Sequence, residues 1–219
     1  MRLNTVIFDM DGLLIDSEPC WQEAGTETLL QFNVTLSPVQ YHHTTGLRTR
    51  EWLDYWFGYF GIGKEGIPAA EAALHQHVIE KIKTKADPMP GVRAVLDFFK
   101  ARQFRIGLAT SSPLSLVEVV VKKLGIENEF EAVASAEHLP YGKPHPQVYM
   151  DCARALAVNP LHCVAFEDSF NGVIAAKAAR MTCVAVPVHD QAHLPKWGAA
   201  DLKLSSLLDF SDSQLESLG

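Results

Sequence analysis

Two aspartates, Asp9 and Asp11, directly follow the apolar run Thr5–Phe8. Carboxylates this close repel each other, so a cation or a shared proton must hold them together. The same segment, which continues with Gly12, also fits an ordinary Asp-Gly turn. Taken alone, the pair does not decide between these two interpretations.

Three hydroxyl residues, Thr110, Ser111 and Ser112, follow a second apolar run, Phe104–Ala109. Proline is common at the first position of a helix, so we predict that a helix starts at Pro113 with Ser112 as its N-cap. The free N–H groups at such a helix start would form an anion-binding site together with the hydroxyl of Thr110. The alternative is that these residues cap the helix and do nothing more.

One lysine, Lys143, lies in the segment Leu139–Pro146, which is rich in proline and contains Gly142. These neighbours exclude a helix and hold the ammonium group in a defined place. A point charge of this kind suits a phosphate group. Taken alone, a solvated surface lysine is the simpler interpretation.

A second acid pair, Glu167 and Asp168, follows the apolar run Cys163–Phe166. Hard carboxylate oxygens are the ligands that Mg²⁺ prefers in proteins. The alternative is that Asp168 or Ser169 caps the next helix.

The elements that would position these residues alternate between strand and helix. Helical periodicity fills the segments between the last four of five apolar runs, as in the face formed by Val148, Cys152 and Leu156. This alternation predicts an α/β fold, a Rossmann-like parallel sheet with helices on both faces. The predicted strands are Thr5–Phe8, Phe104–Ala109, Glu131–Ala134, Cys163–Phe166 and Thr182–Val186.

Open parallel sheets bind their ligands at the carboxyl ends of the strands. The two acid pairs, the hydroxyl residues and the lysine all follow predicted strands, so we expect them to share one pocket. Together they predict a magnesium ion and a clamp for a phosphoryl group.

The segment from residue 17 to residue 87 interrupts the alternation of strands and helices after the first strand. It contains no convincing strand, and its clearest helical patterns are Glu23–Phe32 and Ala69–Lys83. A run rich in proline, Asp87–Gly91, ends it. We therefore predict a helical insertion (residues 17–87) within an α/β core domain formed by residues 1–16 and 88–219. The alternative is that the segment belongs to a single α/β domain.

The composition fits a globular protein that binds a small molecule. The 219 residues include 47% hydrophobic residues and carry a net charge of -7. Nucleic acid and anionic membranes require a basic surface, so neither is expected as a partner. No apolar stretch is long enough to span a membrane. We expect a cytoplasmic monomer whose partner is a small phosphorylated metabolite.

The four groups of candidate functional residues resemble, in order, the four motifs of the haloacid dehalogenase superfamily. They are Asp9-Met10-Asp11-Gly12, Thr110, Lys143 and Glu167-Asp168. The resemblance spans the whole chain, and the helical insertion is similar to the cap of subclass-one members. Asp11 indicates the phosphotransferase branch, because the dehalogenases lack that acid.

The resemblance implies a covalent mechanism. Asp9 would attack phosphorus and form an aspartyl-phosphate, and Asp11 would protonate the leaving alkoxide and then activate the hydrolytic water. Thr110 and the Ser111 amide would hold phosphate oxygens, and Lys143 would neutralise charge beside them.

The resemblance also implies Mg²⁺ as the cofactor. Its ligands would be Asp9, the main-chain carbonyl of Asp11, Asp168 and, through water, Glu167.

Within the superfamily, residues 9–19, 134–137 and 140–149 resemble bacterial hexose- and hexitol-phosphate phosphatases of the 2-deoxyglucose-6-phosphatase type. The sister β-phosphoglucomutase family usually carries a histidine where this chain has Trp21. This departure favours hydrolysis of small sugar or sugar-alcohol phosphates. A β-phosphoglucomutase-type phosphomutase and a non-catalytic sugar-phosphate-binding protein are the alternatives.

The insertion supplies the remaining candidate residues. Gly46, Leu47 and Arg48 resemble the specificity loop of these families. Arg48 would bind substrate oxygens, unless it is a surface residue. Glu18 and Trp21 would shape the pocket for the leaving group.

Overall fold

The structure is a computed structural model that describes residues 3–219, apart from the side chain of residue 42. The described chain forms six strands and nine α-helices. In order they are β1 (Thr5–Phe8), α1 (Glu18–Leu30), α2 (Pro38–His43), α3 (Thr49–Phe60), α4 (Ile67–Lys85), α5 (Val92–Ala101), β2 (Arg105–Thr110), α6 (Leu114–Leu124), β3 (Ala132–Ser135), α7 (Gln147–Ala155), β4 (Cys163–Glu167), α8 (Phe170–Ala178), β5 (Thr182–Ala185), β6 (Leu202–Lys203) and α9 (Asp212–Ser217).

All six strands are parallel and lie in the order β3-β2-β1-β4-β5-β6. Phe8 of β1 is level with Leu108 of β2 and Phe166 of β4. The residues that follow these three positions therefore emerge at the same edge of the sheet. The strand order reverses beside β1, which is where open α/β sheets bind their ligands.

Alternate residues of β1 pack on opposite faces of the sheet, as the strand geometry requires. Val6 and Phe8 join one buried cluster, whereas Ile7 joins a second cluster on the other face. The Phe8 ring lies 5.1 Å from that of Phe166 and 6.0 Å from that of Phe99 on α5. Burial of both faces explains why the strands are almost continuously apolar.

Helices α1 to α4 make up the helical insertion, and no strand lies within residues 17–87. The chain enters and leaves the insertion through adjacent segments. The Asp16 amide donates to the Asp87 carbonyl at 2.9 Å, and the Met89 amide donates to the Leu14 carbonyl at 3.1 Å. The boundaries of the two proposed domains stay a prediction.

The five predicted strands are all present, with ends that differ by at most one residue. The strand β6, only two residues long, carries too short a pattern to be predicted. The prediction that Ser112 caps α6 is wrong. Pro113 is the N-cap and the helix starts at Leu114, so the Ser112 side chain is free for a different contact. None of the helices in the described part of the chain is long and apolar enough to cross a membrane.

Candidate active site

Lys143, Asp9 and Glu167 form a buried charge cluster at the ends of β1 and β4. The Lys143 ammonium lies 2.6 Å from Asp9 Oδ1 and 2.6 Å from Glu167 Oε1, and it donates to the Ala109 carbonyl at 3.1 Å. Burial acts to lower the pKa of Lys143, but the two carboxylates outweigh this effect and hold the pKa above its usual value. The lysine therefore stays charged.

Asp168 completes a group of three buried carboxylates. One oxygen from each of Asp9, Glu167 and Asp168 lies within 4.8 Å of the other two. Burial, and then the charge of Glu167, raise the pKa of Asp9 to about 7, although Lys143 acts in the opposite direction. Burial, and then the charge of Asp9, raise the pKa of Asp168 well above its usual range. The three carboxyl groups face a single ammonium group, so the cluster has more negative than positive groups.

A divalent cation fits this donor set, because it would supply the missing charge and carboxylate oxygens are its preferred ligands. Asp9 and Asp168 could bind such an ion directly. Glu167 has little capacity left: Oε1 accepts from Lys143 and from the Tyr149 hydroxyl at 2.6 Å, and Oε2 accepts from the Ser169 hydroxyl at 3.1 Å. Glu167 could reach an ion through water while it orients Lys143.

Two glycines make room for these acids. Gly12 has φ +73°, and a Cβ there would collide with the Asp168 carboxylate. A Cβ at Gly172 on α8 would collide with the Glu167 carboxylate. The turn after β1 and the start of α8 are therefore fitted to the acid cluster.

Three donors fix the Asp11 carboxylate. Oδ1 accepts from the Ser17 hydroxyl at 2.7 Å and from Trp21 Nε1 at 2.9 Å, and Oδ2 accepts from the Ser112 hydroxyl at 2.6 Å. The indole N–H can only donate, whereas a hydroxyl can also accept. Oδ2 is therefore the oxygen of Asp11 that could carry a proton, because the Ser112 hydroxyl can rotate and accept a hydrogen bond from it. Oδ2 accepts from one donor only and keeps capacity for a proton, while the main-chain carbonyl of Asp11 could bind a metal.

The hydroxyl residues after β2 lie beside the acids. Thr110 is buried, and its hydroxyl accepts from the Ser112 amide at 3.0 Å. The Ser111 hydroxyl donates to the Gly46 carbonyl of the insertion at 3.1 Å. These contacts place the predicted phosphate-binding residues at the same strand edge as Asp9.

A cavity lies between the strand ends and the insertion. Its sheet side is formed by Asp9, Asp11, Thr110, Ser111, Ser112, Lys143, Asp168 and Ser169. Its insertion side is formed by Glu18, Trp21, Gly25, Tyr41, Thr44, Thr45, Gly46, Leu47, Thr49, Trp52 and Leu74. Four of the five residues predicted to contact substrate from the insertion therefore line it.

The turn at Gly46 brings the insertion against α8. Gly46 has φ +84°, and a Cβ there would lie 2.6 Å from the Ser169 hydroxyl oxygen. The side-chain amide of Asn171 donates to the Thr45 carbonyl at 2.9 Å. Only glycine allows both this backbone conformation and this approach.

Arg48 is the one of the five predicted insertion residues that does not line the cavity. Its guanidinium group points away and donates to the main-chain carbonyls of Ala136, Leu139 and Pro140. Sequence reasoning could not anticipate this direction, because the partners lie about 90 residues further along the chain.

The sequence interpretation missed several residues that hold the acids of the candidate site in place. Ser17 and Ser112 orient Asp11, and Tyr149 orients Glu167. Ser17 and Ser112 both lie in segments that carry motif residues, and this position in the sequence could have indicated a contact with an acid. Tyr149 lay on an apolar helix face, where the pattern predicts only packing.

An acid and an ammonium group lie at the exit of a central parallel strand with a second acid beside them, at the edge where α/β proteins with open sheets bind their ligands. Residues 3–180 match the haloacid dehalogenase-like hydrolases. The chain belongs to this family.

Individual relatives extend the comparison. The chain is 41% identical over 218 residues to hexitol phosphatase B of Escherichia coli K12, covering 98% of this chain and 97% of that protein. It is 29% identical over 191 residues to β-phosphoglucomutase of Bacillus subtilis, covering 84% and 83%. The crystal structure of CbbY from Rhodobacter sphaeroides in complex with phosphate matches with a TM-score of 0.87 at 24% identity, covering 98% and 100%.

These comparisons confirm the predicted family and the predicted α/β fold. They also confirm that the chain is an enzyme of the phosphatase type.

Proposed function

We propose that the chain hydrolyses monophosphates of hexitols or hexoses, with Mg²⁺ as its cofactor and Asp9 as its covalent nucleophile. The observation that carries the proposal is the placement of Asp9 and Asp11. Asp9 faces the cavity beside Lys143, while three donors hold Asp11 next to it. The likeness to hexitol phosphatase B supports the substrate class.

The residues divide the work as follows. Asp9 attacks phosphorus, and Lys143 with the Thr110 hydroxyl and the Ser111 amide balances the negative oxygens. Asp11 gives a proton to the leaving oxygen and then takes one from the water that cleaves the aspartyl-phosphate. Mg²⁺ bound by Asp9, Asp168 and the Asp11 carbonyl would supply further positive charge at the phosphoryl group.

The charge of the cavity supports hydrolysis over the mutase alternative. A sugar phosphomutase must bind phosphate at either end of the sugar, so it needs cations at both ends of its cavity. Among the described residues that line this cavity, Lys143 is the only cation. His75 lies behind the wall, 2.9 Å from the Thr49 hydroxyl, and burial lowers its pKa. The insertion side of the cavity carries Glu18, whose carboxyl group suits neutral hydroxyl groups and not a phosphate.

The proposal is tested by measuring phosphate release from a panel of monophosphates: sorbitol 6-phosphate, 2-deoxyglucose 6-phosphate, glucose 1-phosphate and a nucleotide. We expect turnover of the hexitol and hexose phosphates with Mg²⁺ and none with a chelator. Conversion of glucose 1-phosphate into glucose 6-phosphate would establish the mutase instead. Binding without metal-dependent turnover of any ester would establish the binding protein.

A further inference from the structure

A pair of charged residues joins the insertion to the loop that carries Lys143. Arg48 and Glu51 lie at the start of α3, and Arg48 Nη2 is 3.2 Å from Glu51 Oε1. We call this pair the latch. The loop it faces, residues 136–142, runs from the end of β3 to Lys143.

The latch binds the main chain of this loop. Arg48 Nη1 donates to the carbonyls of Ala136, at 3.0 Å, and of Leu139. Glu51 Oε1 accepts the amide of Gly142 at 2.8 Å. One ion pair therefore supplies both a donor and an acceptor to backbone groups, and charged partners make such hydrogen bonds stronger than neutral ones.

The two surfaces fit closely. The Arg48 side chain is only 12% exposed. A Cβ at Gly142 would lie 3.1 Å from Arg48 Cβ and would collide with the Glu51 carboxylate. Gly142 thus permits the contact, and any residue with a side chain would separate the insertion from the loop.

The amide bound by Glu51 belongs to the residue immediately before Lys143. The Lys143 ammonium must reach Asp9 and Glu167, each at 2.6 Å, with its side chain fully buried between them. Anchoring the loop one residue away limits the positions that the ammonium group can take. Movement of the insertion away from the sheet would break all the latch contacts together and release the loop.

We propose that Arg48 and Glu51 are positioning residues, which couple closure of the insertion to the placement of Lys143. The inference rests on the proposed function, because it assigns Lys143 to the reacting phosphoryl group. Arg48 then acts on every substrate through the loop, and not on the sugar through direct contact.

The first test compares Arg48→Ala and Glu51→Ala with a matched control, Arg50→Ala. Arg50 lies on the same helix, with an exposed ion pair to Glu71 at 3.5 Å. We expect kcat/KM to fall by about 10-fold to 100-fold for both sorbitol 6-phosphate and acetyl phosphate in the latch variants. The control should stay within about twofold of wild type. Added guanidinium ion should partly restore Arg48→Ala.

The second test does not depend on activity. Hydrogen exchange of the Gly142 amide should speed up by about 10-fold or more in Glu51→Ala and stay unchanged in Arg50→Ala. Glu51→Gln keeps an acceptor for this amide and should lie between them, which also provides a variant if Glu51→Ala does not fold.

The outcomes separate the two proposals. A wild-type protein without phosphatase activity overturns the proposed function, while the exchange measurement still judges the latch. If wild type is active but the latch variants match Arg50→Ala in rate and in Gly142 exchange, the latch is overturned. A loss confined to sorbitol 6-phosphate, with acetyl phosphate unaffected, would show that Arg48 selects the sugar instead.

Discussion

Asp9 differs from the other acids of the site because it both faces the cavity and contacts Lys143 directly. An amide in its place keeps the size of the side chain but cannot attack phosphorus. We therefore expect Asp9→Asn to lower kcat by more than about 10³-fold while the protein stays folded. Phosphate release and circular dichroism on the same sample check this, and substantial turnover by a folded variant would remove Asp9 as the nucleophile.

Asp11 has a different task, and its effect should depend on the leaving group. Loss of a general acid costs about 10²-fold to 10⁴-fold when the leaving oxygen needs a proton. We expect Asp11→Asn to lose this much on sorbitol 6-phosphate and much less on p-nitrophenyl phosphate in the phosphoryl-transfer step, followed as the burst of nitrophenolate. Trp21→Phe, which removes one donor to Asp11 and keeps the nucleophile, should show a smaller loss of the same kind. Equal losses on both esters would argue against the acid role.

Protonation of Glu18, which lines the cavity, makes the free energy of unfolding depend on pH. Burial, and then the charge of Asp11, raise the pKa of Glu18 to about 7, so in the metal-free protein the folded state holds a proton that an unfolded glutamate releases near pH 4.5. The stability from this group is complete below about pH 4.5 and is lost as the pH rises toward about 7. Since the side chain is partly exposed, the loss should be roughly 1 kcal/mol.

The variant Glu18→Gln cannot titrate and should escape this loss. Relative to wild type, its free energy of unfolding should rise by roughly 1 kcal/mol between about pH 5 and about pH 7. Urea unfolding in the presence of chelator at both pH values measures the difference. A constant difference between the two proteins would show that Glu18 has no raised pKa.

At the scale of elements, the turn after β1 and the end of β4 are fitted to each other through Gly12. Alanine at this position would adopt φ +73° under strain, and its Cβ would push the Asp168 carboxylate aside. We expect Gly12→Ala to weaken Mg²⁺ binding and to lower activity in a way that added Mg²⁺ partly restores, as for Asp168→Ala. Activity titrated against Mg²⁺ measures this, and Gly198→Ala is the control, because no atom lies within 4 Å of a Cβ there. An unchanged metal affinity in Gly12→Ala would contradict the fit.

Elements were easier to predict from the sequence than the contacts between them. Each strand of the sheet except β6 shows an apolar run, because burial on both faces demands one. The positions of the Lys143 loop and of the acids at the strand ends can be predicted from the same pattern. The contacts of Arg48 and Ser112 cannot, because their partners lie on elements distant in the chain. A pattern of residue types does not say which way a side chain points.

At the scale of the whole molecule, one hydrophobic cluster continues from the sheet into the insertion. It contains Phe8 and Val117 of the sheet domain as well as Trp56 and Ile82 of the insertion. The contact between α4 and α6 adds a hydrogen bond from the Lys123 ammonium to a carbonyl near the end of α4, at 3.0 Å. A shared core of this kind predicts that both parts unfold together.

The tryptophans allow a direct test of this cooperativity. Three of the four, Trp21, Trp52 and Trp56, lie in the insertion, and Trp197 is the exception. In Trp197→Phe, fluorescence reports the insertion alone, while far-ultraviolet circular dichroism reports all helices and the sheet. We expect the two urea transitions to coincide in midpoint and slope. The lost hydrogen bond from Trp197 Nε1 to the Gln191 carbonyl, 2.8 Å long, shifts both equally. If fluorescence changes at a lower urea concentration than circular dichroism, the insertion unfolds as an independent domain. The shared cluster would then be too weak to couple the two parts, and the adjacent linkers at Asp16 and Asp87 would be their main connection.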